Sequence, residues 1–163
     1  MNMTPKRPPN RTLSPAILVM SVALLVLAGC AKSTPVILLF EGGADLNGGY
    51  ACRVCIYQLK TDANFTAVPL ETFWGNAPAP FQADLAEPQA EVMLDPGERI
   101  EAEIKISKET NFIGAAADFL RPDRDAWRII LPVSSNDGLL PASLRNGDKI
   151  TLIVSAGRIE IKR

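Results

Sequence analysis

The sequence predicts an all-β domain: an antiparallel, eight-stranded β-sandwich carrying one small helical insert. Three observations predict it. Short β-prone runs are separated by Gly-, Asn- and Pro-containing turn signals. One run, Arg99–Ser107, alternates apolar and charged residues with a period of two. Only the stretch from about 64 to 85 departs from this pattern, placing apolar residues at helix-like spacing.

The elements follow in order. Val36-Ile37-Leu38-Leu39-Phe40 reads as a first strand, and Gly42-Gly43 with Asp45-Leu46-Asn47-Gly48-Gly49 as a glycine-rich loop, because Asn-Gly and Gly-Gly tolerate positive φ. This loop joins two firmly placed strands and is expected to expose Leu46 between Asp45 and Asn47, and loops on rigid scaffolds often carry recognition. Cys52–Leu59 is the second strand, with Cys52, Val54, Ile56 and Gln58 on one face and Arg53, Cys55, Tyr57 and Leu59 on the other. Phe65, Val68, Leu70, Phe73 and Trp74 then recur as on a helix, and Pro69 suits a first helical turn. One or two short helices packed on a sheet edge are expected there. Glu91–Leu94 runs into Asp95-Pro96-Gly97-Glu98, where Pro at the second position and Gly at the third specify a type II turn. In Arg99–Ser107, Ile100, Ala102, Ile104 and Ile106 face inward. Phe112–Phe119 is small-residue-rich and nearly continuous, as a buried central strand is, and Trp127–Leu131 follows it. Asp148–Ser155 and Arg158–Lys162 flank Ala156-Gly157 as a closing hairpin.

The beginning of the chain has a different character. Lys6, Arg7 and Arg11 precede an apolar run from Leu13 to Ala28, and no acidic residue occurs before Cys30. This is the layout of a secretory leader, and the run is shorter than the roughly 20 residues of a permanent membrane-spanning helix. Leu27-Ala28-Gly29-Cys30 resembles a bacterial lipobox, which implies cleavage before Cys30 and lipidation of that residue. At about 0.8 kcal/mol per buried CH₂, three acyl chains on one residue make a permanent anchor. Ala31 and Lys32 lack the Asp that retains lipoproteins in the inner membrane of many Gram-negative bacteria, so an outer-membrane location is expected. The domain plan is a signal peptide over 1–29, a lipidated tether over 30–35 and the sandwich over 36–163.

From Cys30 onward the chain carries 14 basic and 18 acidic residues, a net charge of −4. This is not the basic footprint of a nucleic-acid binder. The whole chain lacks histidine, the commonest general base and metal ligand. Neither catalysis, nor a metal, nor a cofactor is expected. Cys52-Arg53-Val54-Cys55 has C-x-x-C spacing, yet residues three apart on a strand point to opposite faces. Two unlinked thiols are expected, with a strained local disulfide as the alternative. Asp118 reads as a strand-end residue satisfied by backbone amides or by Arg121 or Arg128. Phe65, Phe73, Trp74, Phe81 and Trp127 are expected to pack the insert onto the sandwich; lining a ligand groove is the alternative.

The ordered set of these features resembles a known family. After the lipobox and Leu46-Asn47, the run Arg53-Val54-x-x-Tyr57-Gln58-Leu59-Lys60 is similar to the core strand of the type VI secretion lipoprotein family TssJ (VasD). Asn64-Phe65 with Phe73-Trp74 resembles its helical insert. Glu91–Glu98 looks like the family's hairpin before the central strands, and Phe112–Phe119 with Trp127-Arg128 like its later strand block. The resemblance implies a transthyretin-like sandwich without catalytic activity, lipid-anchored at Cys30 in the outer membrane. It implies that the domain binds the periplasmic C-terminal domain of the inner-membrane protein TssM. The contact would be made largely by the loop between the first two strands, here Ala44, Asp45, Leu46, Asn47, Gly48 and Gly49. Two other functions compete with this one: a periplasmic ligand-binding lipoprotein using the aromatic groove, and a thiol oxidoreductase using Cys52 and Cys55.

Overall fold

The computed structural model describes residues 35–133 and 149–162. The signal peptide, Cys30 and the tether up to residue 34 lie outside the described residues, as does Asp148. The described residues form eight strands: β1 (Pro35–Gly42), β2 (Cys52–Leu59), β3 (Leu85–Leu94), β4 (Arg99–Lys105), β5 (Phe112–Ala117), β6 (Arg128–Pro132), β7 (Lys149–Ser155) and β8 (Arg158–Ile161). Two α-helices, α1 (Ala63–Ala67) and α2 (Leu70–Asn76), and a 3-10 segment Ala79–Asp84 form the insert.

The strands make two four-stranded sheets, ordered β4-β1-β7-β8 and β3-β2-β5-β6. The predicted class holds, with one departure: β1 pairs with β7 in parallel, Ile37 opposite Lys149 through Gly42 opposite Val154. Parallel neighbours need a long connection between them, and here nearly the whole domain supplies it. The Asp95–Glu98 turn forms as its residues dictate, with Gly97 at φ 77° and the Glu98 amide donating to the Asp95 carbonyl at 3.0 Å. It does not close a hairpin within one sheet. β3 belongs to one sheet and β4 to the other, so the turn carries the chain across the sandwich, and β4 is an edge strand. β3 is also longer than expected, starting at Leu85; its exposed Pro88 is tolerated because β3 is an edge.

Leu38, Phe40, Ile104, Ile150, Leu152 and Val154 of one sheet meet Val54, Ile56, Ile113, Ala115 and Leu131 of the other in the core. The insert adds Phe65, Val68, Phe73 and Phe81 to the buried set. It sits on the outer face of the second sheet, not at its edge. Tyr57 of β2 lies 5.6 Å from Phe65, 5.9 Å from Phe73 and 5.1 Å from Phe81, ring centre to ring centre. Opposite Tyr57 in β5 stands Gly114, where an added Cβ would lie 2.8 Å from Phe65 Cζ. On the face shared with Tyr57, the small residues Gly114 and Ala116 thus make room for the aromatic layer, while Ala115 and Ala117 face the other sheet, so β5 is buried on both faces. Arg128 fixes the insert from β6. Its guanidinium donates to the carbonyls of Phe65 (2.6 Å), Val68 (2.8 Å) and Thr66, groups that the end of α1 leaves unpaired.

Candidate functional site

One end of the sandwich gathers three connections: the β1–β2 loop, the β5–β6 loop and the β7–β8 turn. The first begins where Gly43 donates to the Val154 carbonyl at 2.8 Å. It then tightens into a 3-10 turn over Leu46–Gly48, with Leu46, Gly48 and Gly49 amides bonded to Gly43, Asp45 and Leu46 carbonyls. Asn47, Gly48 and Gly49 take positive φ values of 49°, 70° and 93°, the conformation that Asn-Gly-Gly suits.

The tight turn reverses the expectation for Leu46. Instead of being exposed, its side chain is fully buried. Three consecutive left-handed residues fold the loop back on itself, and Leu46 plugs the end of the core beside Gly42. Asn47 is buried as well, while Ala44, Asp45, Gly48 and Gly49 are exposed. Of the six residues assigned to the loop contact, four therefore offer surface and two build the loop.

The β7–β8 turn packs directly on the β5–β6 loop. At Gly157 an added Cβ would lie 2.2 Å from the Arg121 carbonyl oxygen, so only glycine fits. The Asp123 amide donates to the Gly157 carbonyl at 2.8 Å, and Arg158 pairs with Asp123, which holds the Asp123 carboxyl below the usual range. Between the three segments lies a concavity of about 440 Å³, lined by Asp45, Asn47, Gly48 and Tyr50, by Leu120 and Arg121, and by Ala156 and Gly157. Two large apolar side chains stand open among these residues, Tyr50 at 66% and Leu120 at 70% exposure. Met93, at the end of β3 and opposite Arg53, is a third exposed apolar residue toward this end. Sequence reasoning missed Tyr50, Leu120 and the 156–157 turn as parts of one surface. The available signal was Leu120 itself, a large apolar residue at the head of the otherwise charged and Pro-containing run Leu120–Asp125.

Elsewhere the thiols and the aromatic residues take the structural places expected of them, and the partner of Asp118 differs. Cys52 and Cys55 are free and buried. Strand alternation sends Cys52 to the sandwich core and Cys55 toward the insert. Burial, with the nearby Asp118 charge, pushes the Cys52 thiol up to about 12, and burial also raises Cys55. Neither thiol has the lowered pKa of a redox nucleophile. Asp118 is satisfied by Arg53, at 2.8 Å, rather than by Arg121 or Arg128; β2 and β5 are neighbours, and the Asp118 amide donates to the Arg53 carbonyl. The predicted alternative of an aromatic groove is filled by its own members. Phe65, Phe73, Phe81 and Trp127 are buried and pack on one another, Phe73 stacked on Phe81 and meeting Trp127 edge to face with centres 4.8 Å apart. Among the described residues, no three or more carboxylates, thiols or imidazoles gather where a metal could bind.

Comparison with known proteins agrees with this architecture. No curated protein matches the chain. Among solved structures, it is similar to the type VI secretion lipoprotein TssJ1 from Pseudomonas aeruginosa, with 25% identity and a TM-score of 0.66 over 80% of this chain and 96% of that one. A structure described as the TssM C-terminal domain from EAEC matches with 23% identity and a TM-score of 0.64, over 79% and 98%. One described as a type VI membrane complex matches with 23% identity and a TM-score of 0.67, over 81% and 100%. The family model for "Type VI secretion lipoprotein, VasD, EvfM, TssJ" matches residues 34–157. Its span takes in all three loops of the concave end, the insert and the strands β1 to β7, and the chain belongs to the type VI secretion lipoprotein family, TssJ/VasD.

Proposed function

We propose that this protein is the outer-membrane anchor of a type VI secretion membrane complex, binding the periplasmic C-terminal domain of a TssM-like inner-membrane protein through its concave loop end. Residues 1–29 are removed, Cys30 carries the lipid, and 30–35 tether the sandwich on the periplasmic side. The role is mechanical and assembling, not catalytic. Family membership supports the reading, as does the matching structure described by the TssM C-terminal domain. The single observation that carries the docking site is the loop end itself, where Tyr50 and Leu120 stand exposed around a concavity.

The direction of β1 fits this use. The strand starts at Pro35, next to the tether, and ends at Gly42, next to the loops. Its eight residues separate the two by roughly 25 Å at about 3.3 Å per residue. The start of the sandwich and its loop end thus lie at opposite ends of β1. Affinity capture of a C-terminally tagged copy from detergent-solubilised envelopes tests the reading. Recovery of a TssM-like protein is the expected result. Recovery of the lipoprotein alone, with the secretion genes expressed, would remove the docking role.

A further inference from the structure

Asn47 is a buried polar side chain, 6% exposed, in the middle of the loop end. Its carboxamide oxygen accepts from the Leu120 amide at 2.7 Å, and its Nδ2 donates to the Ala51 carbonyl at 2.9 Å. Its own backbone amide donates to the Ala156 carbonyl at 3.2 Å. The three partners belong to the β5–β6 loop, the segment entering β2 and the β7–β8 turn. The orientation of the carboxamide is unambiguous, because an N–H needs the oxygen and a carbonyl needs the NH₂.

We infer that Asn47 is the positioning residue of the docking face: it touches no partner, and it clamps the three loops into one surface. The inference rests on the loop end being the docking face. The bond to the Leu120 amide sets the backbone from which the Leu120 side chain projects. The bond to Ala51 sets the backbone just after Tyr50. One side chain therefore fixes the separation of the two exposed apolar groups across the concavity. The residue type follows from three simultaneous demands. The position needs an acceptor, a donor and tolerance of φ 49°, and asparagine meets all three. Aspartate keeps the acceptor and the left-handed conformation but sets an oxygen against the Ala51 carbonyl. Glycine keeps the conformation and loses both side-chain bonds.

The test uses the full-length chain in detergent, with the periplasmic C-terminal domain of the TssM from the same secretion system as the probe. Affinity and amide hydrogen exchange are measured for wild type, Asn47→Gly and Asn47→Asp. The expected result is affinity weakened at least about tenfold in N47G, with N47D in between. The Leu120 amide should exchange faster in N47G while amides of Val54–Tyr57 keep their protection. N47G affinity within about twofold of wild type would overturn the positioning role even if the Leu120 amide is freed. Loss of protection across β2 as well would reduce Asn47 to a general structural residue and overturn it too. A wild-type chain that does not bind the probe is a different result, and it overturns the docking reading on which the inference rests.

Discussion

Leu46 and Tyr50 sit four residues apart in one short loop and do opposite work. Leu46 is fully buried, so its truncation leaves a cavity at the end of the core. Leu46→Ala should lower stability by about 2–5 kcal/mol in urea unfolding. Tyr50→Ala, at an exposed position, should stay within about 0.5 kcal/mol of wild type. A Leu46 variant that loses partner binding therefore reports on folding before it reports on contact. Cys52 supplies a second residue-scale prediction. Its pKa is raised in the folded state to about 12, so the folded protein holds the thiol proton more tightly than the unfolded chain does. The resulting stability is complete below the unfolded value near pH 9 and is lost as pH rises toward 12. The stability advantage of wild type over Cys52→Ala, read from urea midpoints, should therefore narrow across that window. For the same reason, Cys52 and Cys55 in the folded protein should resist thiol reagents at neutral pH and react on unfolding.

At the scale of elements, the insert and the second sheet depend on one another. Gly114 leaves the space that Phe65 fills, and Arg128 holds the carbonyl end of α1. Arg128→Met removes charge-assisted bonds from three carbonyls and should cost about 2–3 kcal/mol. Hydrogen exchange should speed up in α1 and α2 while β1 and β7 stay protected. Gly114→Val should expel Phe65 and loosen the layer around Trp74 and Trp127, seen as a red shift of tryptophan emission. Much of this level was legible in the sequence. The alternation in Arg99–Ser107, the Pro-Gly turn and the Ala156-Gly157 hairpin are local signals, and each element formed where its residues placed it. The position of the insert was not legible. Helical spacing marks which side chains are buried, but only the glycine opposite Tyr57 reveals that the cover lies over a sheet face. The parallel β1–β7 pair was hidden for a similar reason, since strand direction within a sheet depends on contacts more than a hundred residues apart. At the loop end, Ala44–Gly49 was readable as a loop by its glycines. The inward turn of Leu46 was not, because it follows from the concerted positive φ of three residues rather than from hydropathy.

At the scale of the whole molecule, the sheets are used unequally. In the β3-β2-β5-β6 sheet the two central strands, β2 and β5, are largely buried, between the other sheet and the insert, while the edge strand β3 stays mostly exposed. The β4-β1-β7-β8 sheet keeps one face in water, where Arg99 and Lys162 pair with Glu41, and Lys149 with Glu101. Such surface pairs contribute about 0–1 kcal/mol each, so this face serves solubility more than stability. Both sheets deliver their loops to the concave end, opposite the strand end from which β1 emerges. Under the proposed function, this separation lets the loop end meet its partner away from the end at which β1 begins. The measurement that tests this account most directly is the affinity of the full-length chain for the TssM periplasmic domain, compared with a Tyr50→Asp, Leu120→Asp double variant whose folding is checked by thermal unfolding. The account predicts unchanged unfolding and affinity weakened at least about tenfold, since exposed apolar anchors at an interface centre carry most of the binding energy. Unchanged affinity in a folded double variant would contradict it and place the docking surface elsewhere on the sandwich.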